Sequence, residues 1–331
     1  MRAAGSPIVD WHDEMEEADV IIVGGGPAGS TCAWKLRESG IDALILDKQQ
    51  FPRTKLCAGW LTPKVVHDLK IDRHSYPYSM TKFNKLHIHL YGRRIPIKTT
   101  QYAIRRKEFD DWLIRRSHIP LIHHSVKHIL KENGHYIIDQ AFRCRTLVGA
   151  GGTNCPVYHT FFKNDAHRPA KKAIISLETE FPYEIADRNC YLWFYENKLP
   201  GYSWYVPKDE VLNIGIGGKL SVLKSRNETI RQHWDYFLEK LQKLSLISHV
   251  DPQPRGYLYY LRNKQIKAQK GNVYLIGDAA GLATSDMGEG IGPAVESGLR
   301  AAAAISSGKK MSFKSIRKYS FFQIVFSKRT S

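Results

Sequence analysis

Gly24, Gly26 and Gly29 are spaced Gly-x-Gly-x-x-Gly, and Asp47 follows 18 residues after the last of them. That pattern suits the cradling of a dinucleotide pyrophosphate. Gly24 permits a tight turn, Gly26 lets the backbone come close to phosphate, and Gly29 lets a helix pack against the preceding strand. A helix that starts with Pro27 and Ala28 presents unpaired N–H groups and a partial positive charge to that phosphate. Asp47, with Lys48 beside it, is spaced to accept hydrogen bonds from the hydroxyls of an adenosine ribose.

A second group of residues lies near the other end of the chain. Positions 271–281 read Gly-Asn-Val-Tyr-Leu-Ile-Gly-Asp-Ala-Ala-Gly, and Gly288, Glu289, Gly290 and Ile291 follow. A buried strand delivers Gly277 and Asp278 to the end of a sheet, where the carboxylate can hold a sugar-alcohol hydroxyl of a flavin linker. The glycines Gly288 and Gly290 leave room for a flat ring. A helix beginning at Ile291 points its N-terminal N–H groups at the pyrimidine edge of an isoalloxazine, stabilising the anion formed on reduction. The two groups together predict bound FAD.

The elements that must position these residues are legible as patterns. Val20 to Val23 is a continuous apolar run of the kind that forms a buried parallel strand, a helix is predicted over 27–39 with Gly40 ending it, and a second apolar strand runs over 43–46. Further strands are predicted at 86–90, 119–128, 135–139, 146–149, 174–181, 212–216 and 272–276. Helices are predicted at 107–117, 228–243 and 291–306. No internal repeat or low-complexity linker interrupts them.

Between the two ends lie Phe-Pro-Arg-Thr-Lys-Leu-Cys-Ala-Gly at 51–59, Arg-Lys-Glu-Phe-Asp at 106–110, Gly-Ala-Gly-Gly at 149–152 and Tyr-Ser-Trp-Tyr-Val-Pro at 202–207. In this order, and with the two glycine-rich groups, they resemble the geranylgeranyl reductase family of flavoproteins, within the wider class that shares the p-hydroxybenzoate hydroxylase fold. The resemblance implies an α/β fold, a Rossmann-type FAD-binding domain with an inserted α+β substrate domain containing an antiparallel sheet. It places the discontinuous FAD domain at 1–75, 100–155 and 265–331, and the substrate domain at 76–99 and 156–264. It also implies that the loop carrying Lys55, Cys57, Ala58 and Gly59 lies over the flavin, that Cys57 has an active-site role and that Arg106 contacts the cofactor. The segment at 202–207 resembles the family's substrate-cavity motif Tyr-x-Trp-x-Phe-Pro, with Val206 in the place of Phe, which makes Tyr202 and Trp204 substrate-wall residues. Gly151 stands where the flavin hydroxylases commonly carry Asp, which argues against that branch.

The activity implied is reduction of carbon–carbon double bonds in an isoprenoid or lipid-like substrate by hydride from reduced flavin, with Cys57 as a candidate acid or substrate contact. The electron donor is left open between NAD(P)H and ferredoxin. Rival readings on the same fold are an aromatic hydroxylase, a halogenase suggested by a loose echo of Trp-x-Trp-x-Ile-Pro, and a non-enzymatic FAD protein at a membrane surface.

The composition is that of a globular chain of two lobes: 331 residues, 43% hydrophobic and 24% charged. Lys and Arg total 49 against 32 Asp and Glu, a formal charge of +17, which attracts anionic partners without selecting among them. From Ala301 onward there is no acidic residue. Lys309, Lys310, Lys314, Arg317, Lys318, Lys328 and Arg329 sit there beside Phe313, Tyr319, Phe321, Phe322 and Phe326, which reads either as a solvated basic tail whose aromatics pack on the body or as a tail lying on an anionic membrane surface. No nucleic-acid-binding module accompanies the charge. The five cysteines include no Cys-x-x-Cys pair, which disfavours a disulfide framework or zinc site and favours a cytoplasmic setting, peripheral to the inner face of the membrane if the tail docks. His118, His123, His124 and His128 lack partners at ligand spacing, so no metal is expected. The segment 1–18 carries Asp13, Glu14, Glu16 and Glu17 and does not resemble a signal peptide.

Overall fold

A computed structural model describes residues 15–165, 168–248, 252–263, 265–321 and 324. Its first sheet places, in spatial order, Gln269–Lys270, Val273–Leu275, Phe142–Gly149, Glu16–Val23, Ala43–Asp47 and Leu121–His123. From Val273–Leu275 to Leu121–His123 every neighbouring pair is parallel. The strand Ala43–Asp47 is buried along its whole length, as is Val20 to Val23. This is why both read as unbroken apolar runs: a parallel strand covered on both faces has no solvent side on which to alternate. Strands from both ends of the chain thus share one sheet. Helix Pro27–Glu38 follows the central strand, and helix Ile291–Ser307 packs against it.

The second sheet runs Arg255–Tyr260, Ala173–Pro182, Val211–Lys219, Gly201–Lys208, Cys190–Phe194, Thr81–Leu90, Arg93–Ala103 and Trp60–Leu61. It is antiparallel except where Cys190–Phe194 pairs with Thr81–Leu90. One face carries Ile175, Leu177, Ile214 and Ile216 and packs with Trp234, Phe237 and Leu241 of helix Ile230–Lys243. That helix starts with a reciprocal cap: Thr229 N–H donates to Gln232 Oε1 at 2.8 Å, and Gln232 N–H donates to Thr229 Oγ1 at 3.4 Å. The opposite face, with Trp204, Val206 and Leu192, turns toward the first sheet. The fold is a Rossmann-type α/β layer joined to an α+β layer with a largely antiparallel sheet.

The strand predicted over 119–128 is cut to Leu121–His123. After His123, the N–H of His124 still reaches Asp47 O at 2.9 Å, but those of Lys127 and His128 turn to the carboxylate of Asp139, at 3.1 and 2.7 Å. A side chain has taken over donors that a ladder would need. The strand predicted at 86–90 is the end of a ten-residue strand, Thr81–Leu90, and 212–216 is the middle of Val211–Lys219. No helix among the described residues is long and apolar enough to cross a membrane.

Candidate cofactor and substrate site

Gly24, Gly26 and Pro27 line a cavity of about 810 Å³ together with Gly277, Asp278 and Gly290, so the two glycine-rich groups meet. Ala28, Asp47, Lys48, Gly288 and Ile291 belong to the same lining. So do Lys55, Cys57, Ala58 and Arg106 from the intervening segments, and Tyr202 and Trp204 from the second sheet. Two expected contacts do not line it. Gly29 sits behind the turn, and Gly59 accepts the Ile104 N–H at 2.9 Å beside the Trp60–Leu61 strand.

The turn is shaped by what its glycines lack. Gly24 has φ of +112°, and a Cβ there would fall 2.5 Å from the carbonyl carbon of Ala150; a Cβ on Gly29 would fall 1.9 Å from Gly24 O. Strand end and helix start therefore touch backbone to backbone. No side chain caps the helix at Gly26, which leaves first-turn N–H groups available to an anion at the cavity edge. Asp47 is aimed by the backbone: its Oδ2 accepts the Gly25 N–H at 2.7 Å and its Oδ1 the Gln49 N–H at 2.8 Å. Each oxygen keeps a further lone pair for a ligand hydroxyl.

Cations gather on the same cavity. Arg106 is buried and makes a bidentate pair with Asp110, at 2.7 and 2.8 Å, and Arg53 Nη2 lies 3.2 Å from the same carboxylate. The Lys55 ammonium sits 2.9 Å from the centroid of the Tyr257 ring. Burial lowers Lys55 to about 8, against the pull of Asp278 in the other direction. The Tyr257 hydroxyl donates to Asp278 Oδ2 at 3.3 Å. Arg168 donates to the carbonyls of Thr153 and Ala279, and so fastens the loop after Phe142–Gly149 to the turn that carries Asp278.

At the start of helix Ile291–Ser307 the Gly292 N–H is taken by Glu289 Oε1, so not every N–H of that turn is free for a ring. Glu289 Oε2 is buried with no partner among the described residues, and burial pushes this carboxyl up to about 7. Cys57 is half-buried, its Sγ accepting the Gly59 N–H at 3.4 Å. The Tyr202 hydroxyl donates to Met287 O at 2.6 Å and the Trp204 Nε1–H to Asn213 Oδ1 at 2.8 Å, with the two rings 5.8 Å apart. Burial drives the Tyr202 hydroxyl well above its ordinary value, so it stays protonated.

Several lining residues escaped the sequence reading. Tyr257 and Tyr259 stack at 6.2 Å and face the cavity from Arg255–Tyr260, and Glu178 faces it from Ala173–Pro182. A Tyr-x-Tyr pair, and an acid alternating with aliphatics, are weak signals until the strands are known to face a cavity. Of the histidines, His124 Nε2 lies 2.7 Å from Asp139 Oδ2, and His123 Nε2 lies 3.0 Å from Lys48 O. Of the basic tail, Phe313 is buried, whereas Lys309, Lys310, Lys314, Lys318 and Tyr319 are exposed. Arg317 pairs with Glu296 at 2.7 Å, while Phe322, Phe326, Lys328 and Arg329 lie outside the described residues, as does segment 1–14.

This geometry is that of an oxidoreductase on a Rossmann-type nucleotide fold, and the model of the NAD(P)-binding Rossmann-like domain matches residues 22–89. An uncharacterized protein of Methanosarcina barkeri is 32% identical over 89% of this chain and 76% of its own length. Geranylgeranyl diphosphate reductase of Rhodobacter capsulatus is 27% identical over 90% of this chain and 78% of its own. Among solved structures, a geranylgeranyl bacteriochlorophyll reductase-like protein of Thermoplasma acidophilum superposes with a TM-score of 0.74 at 22% identity, over 89% of this chain and 80% of that one. The chain belongs to the geranylgeranyl reductase family.

Proposed function

We propose that the protein holds FAD along this cavity and reduces carbon–carbon double bonds of an isoprenoid or lipid-like substrate. The observation that carries the reading is the junction, on one cavity, of the Gly24 turn, Asp278 and the aromatic wall of Tyr202 and Trp204. The residues present fit FAD. The glycine turn leaves space that a Cβ would fill, Asp47 lines the cavity with carboxylate oxygens that could accept from a ribose, and Asp278 lies at the opposite group where the flavin linker would run. Relatives named for geranylgeranyl diphosphate reduction support the substrate class.

A bound reduced flavin supplies hydride. Arg53, Lys55 and Arg106 supply positive charge for the diphosphate and for the electron-rich reduced ring. Tyr202 and Trp204, each tethered at its polar tip, hold an apolar chain in place and exclude water, and Cys57 contacts cofactor or substrate from its loop. On this reading, 1–75, 100–155 and 265–331 form the FAD domain and the intervening segments the substrate domain. NAD(P)H or ferredoxin delivers the electrons. The exposed lysines Lys309, Lys310, Lys314 and Lys318 meet an anionic membrane in which the lipid resides.

The test is anaerobic. Protein reconstituted with FAD and reduced is incubated with geranylgeranyl diphosphate and with an unsaturated polyprenyl lipid, and the products are weighed by mass spectrometry. A gain of two hydrogens per double bond is expected. Absence of that gain, or oxygen consumption stoichiometric with a hydroxylated product in air, refutes the reading.

A further inference from the structure

We propose that Glu178, held on the cavity wall beside the Trp204 indole, is the acid that protonates the substrate double bond, an assignment that rests on the reductase reading above. Along Ala173–Pro182, Ile175 and Leu177 face the helix-covered core while Ser176 and Glu178 face the cavity, so the strand pattern turns this carboxyl toward the substrate side. Glu178 is 4% exposed.

Its surroundings are built by register. Glu178 is paired with Gly215 on one neighbouring strand, and Gly215 is paired with Trp204 on the next, so the three residues stand in a row across the sheet. Gly215 is the gap in that row. A Cβ there would lie 2.2 Å from Trp204 Cζ2 and 2.7 Å from Glu178 Cβ, so the glycine leaves the space in which the indole crosses the row beside the Glu178 Cβ. An indole ring offers a neighbouring acid no countercharge, and the Trp204 Nε1–H is already given to Asn213.

The charged groups that could neutralise Glu178 are committed elsewhere. Lys208 pairs with Glu180 at 2.6 Å, and Arg105 approaches the same Glu180 at 3.2 Å. Arg106 is held by Asp110, and Lys55 lies on the Tyr257 ring. Lys208, Lys55 and Arg106 act on Glu178 through space and favour its charge, Glu180 opposes it, and the hydroxyls of Tyr202 and Tyr259 face the same space as protonated groups. Burial outweighs the cations and pushes Glu178 up to about 7. A neutral carboxylic acid on an apolar substrate wall can give its proton to carbon, which neither Trp204 nor a high-pKa tyrosine does readily.

The step balances. The alkene π pair is replaced by two C–H bonds: one carbon receives the proton of Glu178, and the other receives hydride, with its electron pair, from the reduced flavin. Oxidised flavin and the Glu178 carboxylate remain, and the carboxylate recovers a proton from water when product leaves.

The test compares wild type with Glu178→Gln, which keeps shape and volume but carries no acidic proton. In FAD-free protein, melting temperature is followed against pH. Burial pushes the folded carboxyl up to about 7 from its ordinary 4.5, so ionisation of the unfolded chain penalises folding of the wild type as pH rises through that window. Wild type should therefore fall progressively below Glu178→Gln between these values and by a constant gap above them; parallel curves overturn the buried neutral acid. In anaerobic single turnover, geranylgeranyl diphosphate should reoxidise the reduced flavin of Glu178→Gln about 100-fold more slowly or worse, with FAD uptake and dithionite reduction unchanged. The wild-type rate should fall above about 7 and the variant's should not. If wild type turns over and Glu178→Gln keeps pace, or shows the same pH profile, the proton assignment alone fails. A wild-type flavin that neither geranylgeranyl diphosphate nor a polyprenyl lipid reoxidises sinks the reductase reading, and this assignment with it.

Discussion

Asp110 is fully buried, and its charge is met by the bidentate Arg106, which also forms part of the cavity lining, and by Arg53. The substitution Arg106→Met keeps a flexible apolar chain in that space but removes both short hydrogen bonds to Asp110. Breaking one side of a buried ion pair costs about 3–5 kcal/mol, because the surviving charge is left desolvated. Here Arg53 remains 3.2 Å from Asp110 Oδ2 and can follow it, which holds the expected loss to the lower end, about 3 kcal/mol. Urea unfolding of the FAD-free protein measures this without any contribution from cofactor binding. The double variant Arg106→Met with Asp110→Leu removes the stranded charge and should regain most of the loss, since a buried pair replaced by apolar residues is often near neutral. A loss under about 1 kcal/mol for Arg106→Met, or no recovery in the double variant, would show that Asp110 is not the desolvated partner described here.

Lys55 gives a pH dependence of definite sign. With its folded value lowered to about 8 by burial, it is charged below that pH and neutral above it, so affinity for FAD, an anion, should weaken as pH rises through about 8, and Lys55→Met should abolish that dependence. The linked stability moves the other way: FAD-free wild type gains stability relative to Lys55→Met between about 8 and the ordinary value of 10.5, which pH-dependent melting will detect. Gly29→Ala, whose Cβ would press into Gly24 O, should abolish FAD uptake as read by the absorption of the bound flavin. Thr229→Ala removes the acceptor of the helix cap and should cost about 1 kcal/mol in urea, with FAD uptake unchanged. Arg317→Met removes the guanidinium from Glu296 and leaves it Lys64 at 3.5 Å and the backbone N–H of residue 317 at 3.4 Å; limited proteolysis should then cut the chain near 309–320 faster than in wild type.

The nucleotide half of the molecule was readable because its signals are local. A glycine that must adopt positive φ or let two backbones touch has no substitute, a parallel strand buried on both faces must be apolar throughout, and the acid that follows it is counted along the chain. These constraints leave residue types at set spacings, and Gly24, Gly29, Asp47 and Asp278 stand where that reasoning put them relative to strand ends. Helix ends at Arg106 and Ile291 also matched, within a residue.

The cavity wall formed by the second sheet was decided in three dimensions. Glu178, Trp204 and Gly215 lie on three different strands and become neighbours through strand register, and a shift of one residue would send Glu178 to the helix-covered face. Likewise, nothing in residues 119–128 says that Asp139 will capture the N–H groups of Lys127 and His128 and end the strand early. Local spacing can specify a turn, because the backbone itself carries the constraint. Which polar side chain is buried, what faces it and whether its charge is met depend on partners that only the folded sheet brings together.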